Sequence, residues 1–123
     1  MQREHRLRRR NDFRRVFRAG SSTANRQFVV YKLKRYDGGP VRIGISVSRK
    51  VGKAVTRNRV KRLVKEVLRQ RIDCLPEGMD LVIIARAPAA SMGYHQVESS
   101  LRHVMSRGKL LKKNEEKKRG KSR

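Results

Sequence analysis

Apolar residues recur along this chain at two spacings, and the switches between them divide it into elements. "NDFRRVFRAG" puts Phe13, Val16 and Phe17 on one side of a short helix, with Asn11 as a candidate cap and Gly20 as its stop. The polar connector "STANRQ" follows. Residues 27–34, "QFVVYKLK", are rich in β-branched and aromatic side chains and predict a strand. "YDGGP" is a turn sequence. "VRIGISV" then alternates, Val41, Ile43, Ile45 and Val47 against Arg42, Gly44 and Ser46, as a strand with one buried face does. "SRKVGKA" predicts a basic loop.

From Ala54 the period changes. In "AVTRNRVKRLVKEVLRQR", Val60, Leu63, Val64, Val67 and Leu68 form one continuous stripe at about 100° per residue. The loop "DCLPEGMD" leads to "LVIIA", residues 81–85, an apolar run that fits a strand covered on both faces. After "RAPAASMG", Val97, Leu101, Val104 and Met105 mark a last helix. The order is helix, two strands, helix, strand, helix, which predicts an α+β fold, a small α-β sandwich with one helix-covered sheet. The expected organisation is a disordered basic arm over residues 1–10, one domain over 11–107, and a disordered Lys-rich tail over 108–123.

Charge changes what the central helix means. The 123 residues carry 34 Lys and Arg against 10 Asp and Glu, a formal net charge of +24. Residues 1–10 contribute +4 and residues 109–123 contribute +6, so the central 98 residues keep +14. A compact body repels itself at that charge unless a polyanion neutralises it, and a nucleic acid is the expected partner. No apolar run approaches the roughly 20 residues of a membrane span, so no membrane association is expected. The start lacks a signal peptide's apolar segment, and Cys74, the single cysteine, fits a reducing compartment, so the expected location is the cytoplasm.

Opposite the apolar stripe lie Asn58, Arg62, Lys65 and Arg69, with Arg59 and Lys61 on the flanks and Arg57 in the first turn. A run of charge is usually a solvated face. Here Glu66 is the only acid between Ala54 and Ile72, and like charges three and four apart destabilise a helix, which favours phosphate binding. Such a helix can read base edges in a DNA major groove. The chain lacks the paired helices or dimerisation heptads that present one. The deep, narrow groove of A-form RNA instead leaves a basic helix lying along phosphates, recognising shape.

"TRNRVKRLVKE", with Arg57-Asn58-Arg59 and then Lys61-Arg62, resembles the basic helix of the bacterial ribonuclease P protein component. "NDFRRVFRAG", "ANRQFVVY", "RIGISVSRKVGKAVTRNRVKR" and "DLVIIARAPA" resemble that family's successive blocks in order, over roughly residues 8–107. The resemblance implies a subunit of a ribonucleoprotein endoribonuclease whose RNA carries the chemistry. The protein would assist removal of the 5′ leader of precursor tRNA, with Mg²⁺ held mainly by the RNA and no catalytic residue of its own. The catalytic RNA and precursor tRNA would be its partners, and the protein alone a monomer. Arg57, Asn58, Arg59, Lys61, Arg62 and Lys65 would face the catalytic RNA. Phe13, Phe17 and Tyr31 would line a cleft for the single-stranded leader, with Arg14, Arg49, Lys53 and Arg86 supplying charge.

For Phe13 and Phe17 the i, i+4 spacing alone favours burial in the core, and the resemblance puts a cleft wall on a par with it. The implied fold is a sandwich of the ribosomal-protein S-five second-domain type, with a four-stranded mixed sheet and a left-handed βαβ crossover. The carboxylates (Asp12, Asp37, Glu66, Asp73, Glu77, Asp80 and Glu98) are scattered, with no paired motif for two metals. His5, His95 and His103 have no obvious acid–base partner, and the last two fit surface positions. A structural RNA-binding protein or RNA chaperone is the competing reading, which the charge and helix explain equally well.

Overall fold

The computed structural model describes residues 3–110. Helix α1 (Arg10–Ala19) is followed by strands β1 (Ser21–Ala24), β2 (Phe28–Lys34) and β3 (Arg42–Val47), helix α2 (Ala54–Gln70), strand β4 (Met79–Ala85) and helix α3 (Tyr94–Arg107). The mixed sheet has the order β1-β2-β4-β3, antiparallel except for the β3–β4 pair. Those neighbours are parallel, so α2 is the crossover between them.

Period-2 alternation sends the two sides of the sheet to different layers. Phe28 and Val30 of β2, Ile43 of β3 and Leu81, Ile83 and Ala85 of β4 face α2 and α3. There they meet Val60, Val64, Val67 and Leu68 of α2 and Val97, Leu101, Val104 and Met105 of α3. Each fully buried Val or Leu contributes about 1.5–3 kcal/mol. The opposite side carries Tyr31, Leu33, Val82 and Ile84, against which α1 buries Val16. Both sides are thus covered, the α1 side only in part.

Several expectations are corrected here. The connector "STANRQ" holds all of β1 but its first residue, Ser21, and β1 shows no apolar alternation because it is an edge strand paired only with β2. Its turn is made by Asn25: the side-chain oxygen accepts from the N–H groups of Gln27 and Phe28, and the amide donates to the Ser100 carbonyl and hydroxyl of α3. Strand β4 starts two residues before its apolar run and includes Asp80.

Helix α1 begins at Arg10, so Asn11 lies inside it, exposed, and caps nothing. Gly20 does end α1. A Cβ there would lie 2.4 Å from the Lys32 carbonyl oxygen, so the chain passes β2 at a distance only glycine allows. The basic loop 48–54 holds a 3₁₀ turn, Arg49–Val51, started by the Ser48 hydroxyl accepting from the Lys50 N–H.

Both ends of the domain also differ from expectation. The basic arm is not free over its described part. Arg6 bridges to Ile43 in parallel, the Leu7 N–H donates to the Ile43 carbonyl, and the Leu7 side chain is buried beneath α1. At the other end Gly108 and Leu110 are buried, and Lys32 donates to the Gly108 carbonyl. The rest of the predicted tail lies outside the described residues.

Candidate nucleic-acid interface

The register sets three rows across the α1 side of the sheet. Gly44, Val82, Tyr31 and Ser22 form the middle row, which α1 covers. The Phe13 ring lies on Gly44, where a Cβ would come within 2.4 Å of its Cζ, so only glycine leaves room for the ring. Phe17, 42 % exposed, meets Tyr31 edge to face at 4.9 Å between centroids, and Phe13 meets Phe17 at 6.5 Å. The aromatic set read from the sequence is therefore assembled. Phe13 is half-buried against the sheet, and Phe17 is open to solvent.

The next row, Ser46, Ile84, Val29 and Ala24, is not covered by α1. Val29 and Ile84 floor an open hollow of about 1020 Å³, rimmed by Arg26, Lys50 and Arg86. Arg86 is the only one of the four expected cations that lines it. Arg14, Arg49 and Lys53 are exposed elsewhere, on α1, in the 3₁₀ turn and at the N-cap of α2. Sequence reasoning missed Arg26 and Lys50. The signal was local, because Lys50 adjoins Arg49 in "SRKVGKA" and Arg26 lies within the turn that launches β2.

The outer face of α2 presents Asn58, Lys61, Arg62 and Lys65, all exposed. Among the described residues none of Arg57, Arg59, Lys61, Arg62 and Lys65 forms an ion pair within the protein. Glu66 is engaged by Arg69 and also accepts from Gln70, hydrogen bonds that hold its carboxyl below the usual range. Arg59 differs from its neighbours. Its guanidinium donates to the carbonyls of Ala90 and Met92, the latter at 3.1 Å, so it staples α2 to the 3₁₀ turn Ala87–Ser91. Arg57 is half-buried, and its Nε is buried without a hydrogen-bond partner among the described residues.

In the third row Asp80 is fully buried and holds three guanidinium groups. Arg42 reaches both oxygens, at 2.9 and 2.8 Å, Arg35 lies 2.7 Å away and Arg15 of α1 3.2 Å. Burial alone would raise this carboxyl; the hydrogen bonds from Arg42 and Arg35 outweigh it and hold it low. Glu98 of α3 pairs with Arg71 and Arg102, and the Arg71 hydrogen bond likewise lowers it.

With Asp12 against Arg15 and Asp37 against Arg35, five carboxylates are engaged by arginine. Among the described residues no three His, Cys, Asp or Glu side chains come together as metal ligands. His5 donates from Nδ1 to the Val41 carbonyl, while His95 and His103 are exposed. No described helix is long and apolar enough to cross a membrane.

The family model described as Ribonuclease P matches residues 1–109. The "Ribonuclease P protein component" of Brevibacillus brevis is 49% identical over 112 residues, spanning 91% of this chain and 89% of that protein. The component of the same name from Listeria welshimeri is 46% identical over 112 residues, 91% of this chain and 94% of its own length. The solved structure of the Staphylococcus aureus RNase P protein superposes with a TM-score of 0.81 at 39% identity, covering 87% of this chain and 97% of that one.

Proposed function

The chain belongs to the Ribonuclease P family, protein components of a ribonucleoprotein of tRNA processing, and from that premise we propose how it acts. The outer face of α2 docks on the catalytic RNA, and the open groove beside α1 holds the 5′ leader of precursor tRNA. The RNA then cleaves the phosphodiester that joins leader to mature tRNA. Phe17 and Tyr31 stack leader bases while Arg26, Lys50 and Arg86 follow its phosphates, contacts that tolerate many sequences. One observation carries this reading: an aromatic pair, Phe17 exposed and Tyr31 half-buried, beside an apolar floor rimmed by cations, in a domain whose basic helix has its other side locked in the core.

Among the described residues no carboxylates gather into a Mg²⁺ site, and Asp80, among three guanidiniums, and Glu98, between two, do not fit one. Mg²⁺ belongs with the RNA in this proposal, where it would activate water and stabilise the leaving oxygen. The protein's part is to lower repulsion between two RNAs and to position the substrate.

The test is reconstitution with the cognate RNA at low Mg²⁺. Enhanced leader cleavage, with tighter binding of precursor than of mature tRNA, is the expected result. Binding to the RNA with no effect on rate or leader affinity would leave only the structural RNA-binding reading.

A further inference from the structure

Helix α1 separates two grooves of different chemistry. Phe17 and the open sheet row lie on one side. On the other is a second hollow of about 1020 Å³, whose lining sets Arg8, Arg9, Arg15, Lys34, Arg42 and Tyr36, among others, against two carboxylates, Asp12 and Asp37, each already paired with an arginine. Its floor is the Asp80 cluster, which fixes the guanidiniums of Arg15 and Arg42 in place. Arg8, Arg9 and Lys34 are exposed, and Tyr36 is 97 % exposed at the turn after β2. A tyrosine wholly in water gains nothing by folding, yet here it stands over a cationic groove, the pairing with which single-strand binders stack a base and follow a backbone.

This groove is continuous with the outer face of α2. A smaller hollow of about 320 Å³ is lined by Lys61 and Lys65 of α2 and by Arg6 and Arg8 of the arm, and Arg6 and Arg8 also line the Tyr36 groove. The docked arm therefore bridges the two, and the basic surface runs from α2 around the β3 edge to Tyr36. The aromatic groove proposed for the leader opens on the opposite side of α1.

We infer that the Tyr36 groove is a second docking site for the catalytic RNA, taking a single-stranded segment next to the part that lies on α2. Its cations hold the phosphates and Tyr36 stacks one base. The inference rests on the reading of α2 as the face for that RNA. It would make assembly depend on residues more than one element away from the basic helix.

The experiment measures assembly of the full chain with its cognate catalytic RNA over a range of salt. One variant carries Arg9→Gln with Lys34→Gln, another Tyr36→Ala, a third Tyr36→Phe, and a reference Lys61→Gln with Lys65→Gln. Thermal melts of each verify the fold. Losing two phosphate contacts should lower the slope of log K against log salt by about 1.4–1.8. Tyr36→Ala should weaken assembly about 5- to 150-fold, as loss of one stacked base does, and Tyr36→Phe should restore it. Unchanged affinity and slope for the groove variants, beside a weakened reference, overturn the inference and leave the α2 reading standing. No change in any variant removes both. Normal assembly with weakened precursor binding assigns the groove to the substrate and also overturns it.

Discussion

Tyr31 and Gly44 occupy the same row of the sheet and do opposite things for the groove. Tyr31 supplies a ring. Because the ring is proposed to stack a leader base, Tyr31→Ala should weaken binding of precursor tRNA by about 1–3 kcal/mol and leave mature tRNA nearly unaffected. Equal losses for both ligands would remove the leader from this groove. Gly44 supplies room. A methyl group there meets Phe13 Cζ at 2.4 Å, so Gly44→Ala must push the ring outward and should lower stability by about 1–3 kcal/mol in a thermal melt. The same variant should weaken leader binding, because the displaced ring sits beside Phe17. From sequence, Gly44 is only an unremarkable member of the polar side of an alternating strand. The i, i+4 spacing of Phe13 and Phe17 by itself favours core for both, whereas Phe17 stands open to solvent. The contact that separates the two rings lies across 31 residues of chain and has no local signature.

The element whose sequence says most is α2, since each of its faces carries its own pattern. The apolar stripe is buried as the 3.6-residue period requires, and Asn58, Lys61, Arg62 and Lys65 stand outward. What the helix cannot reveal by itself is that Arg59 turns aside to two carbonyls of the turn before α3. The two arginines should therefore behave differently. Arg62→Gln should weaken assembly with the catalytic RNA, lower the salt slope by about 0.7–0.9 and leave the melting temperature unchanged. Arg59→Gln should lower stability by about 1.5–3 kcal/mol as well, the range for hydrogen bonds from a charged group. Equal melting temperatures for the two variants would show that the staple contributes nothing. Strand β1 is the opposite case. Ser21–Ala24 has neither alternation nor bulk, and its pairing comes from the Asn25 turn and its tie to Ser100, 75 residues away.

Across the whole molecule, a charge of +24 makes the few carboxylates matter out of proportion to their number. Asp80 joins α1, the end of β2 and the start of β3 through arginines 65, 45 and 38 residues away. No window of sequence could reveal that, and the apolar run after it reads as a strand beginning too late. The folded carboxyls of Asp80 and Glu98 are held below their ordinary values. Their contribution is thus complete above the unfolded pKa of about 4 and is lost as pH falls through the folded values. Protonation also removes negative charge from a body that already repels itself, so both effects act in the same direction. The melting temperature should accordingly fall as pH drops below about 4.5, where the unfolded carboxyls take up protons before the folded ones do. Sulfate should offset part of the fall, through screening and exclusion from the protein surface. Asp80→Asn should cost about 3–5 kcal/mol at pH 7, because it leaves Arg42 without its anion and Arg15 and Arg35 with only Asp12 and Asp37, and should flatten the acid limb. If the variant kept the wild-type slope below pH 4.5, the acid sensitivity would reside in other carboxylates, and the arginines around Asp80 would hold the three elements together without its charge.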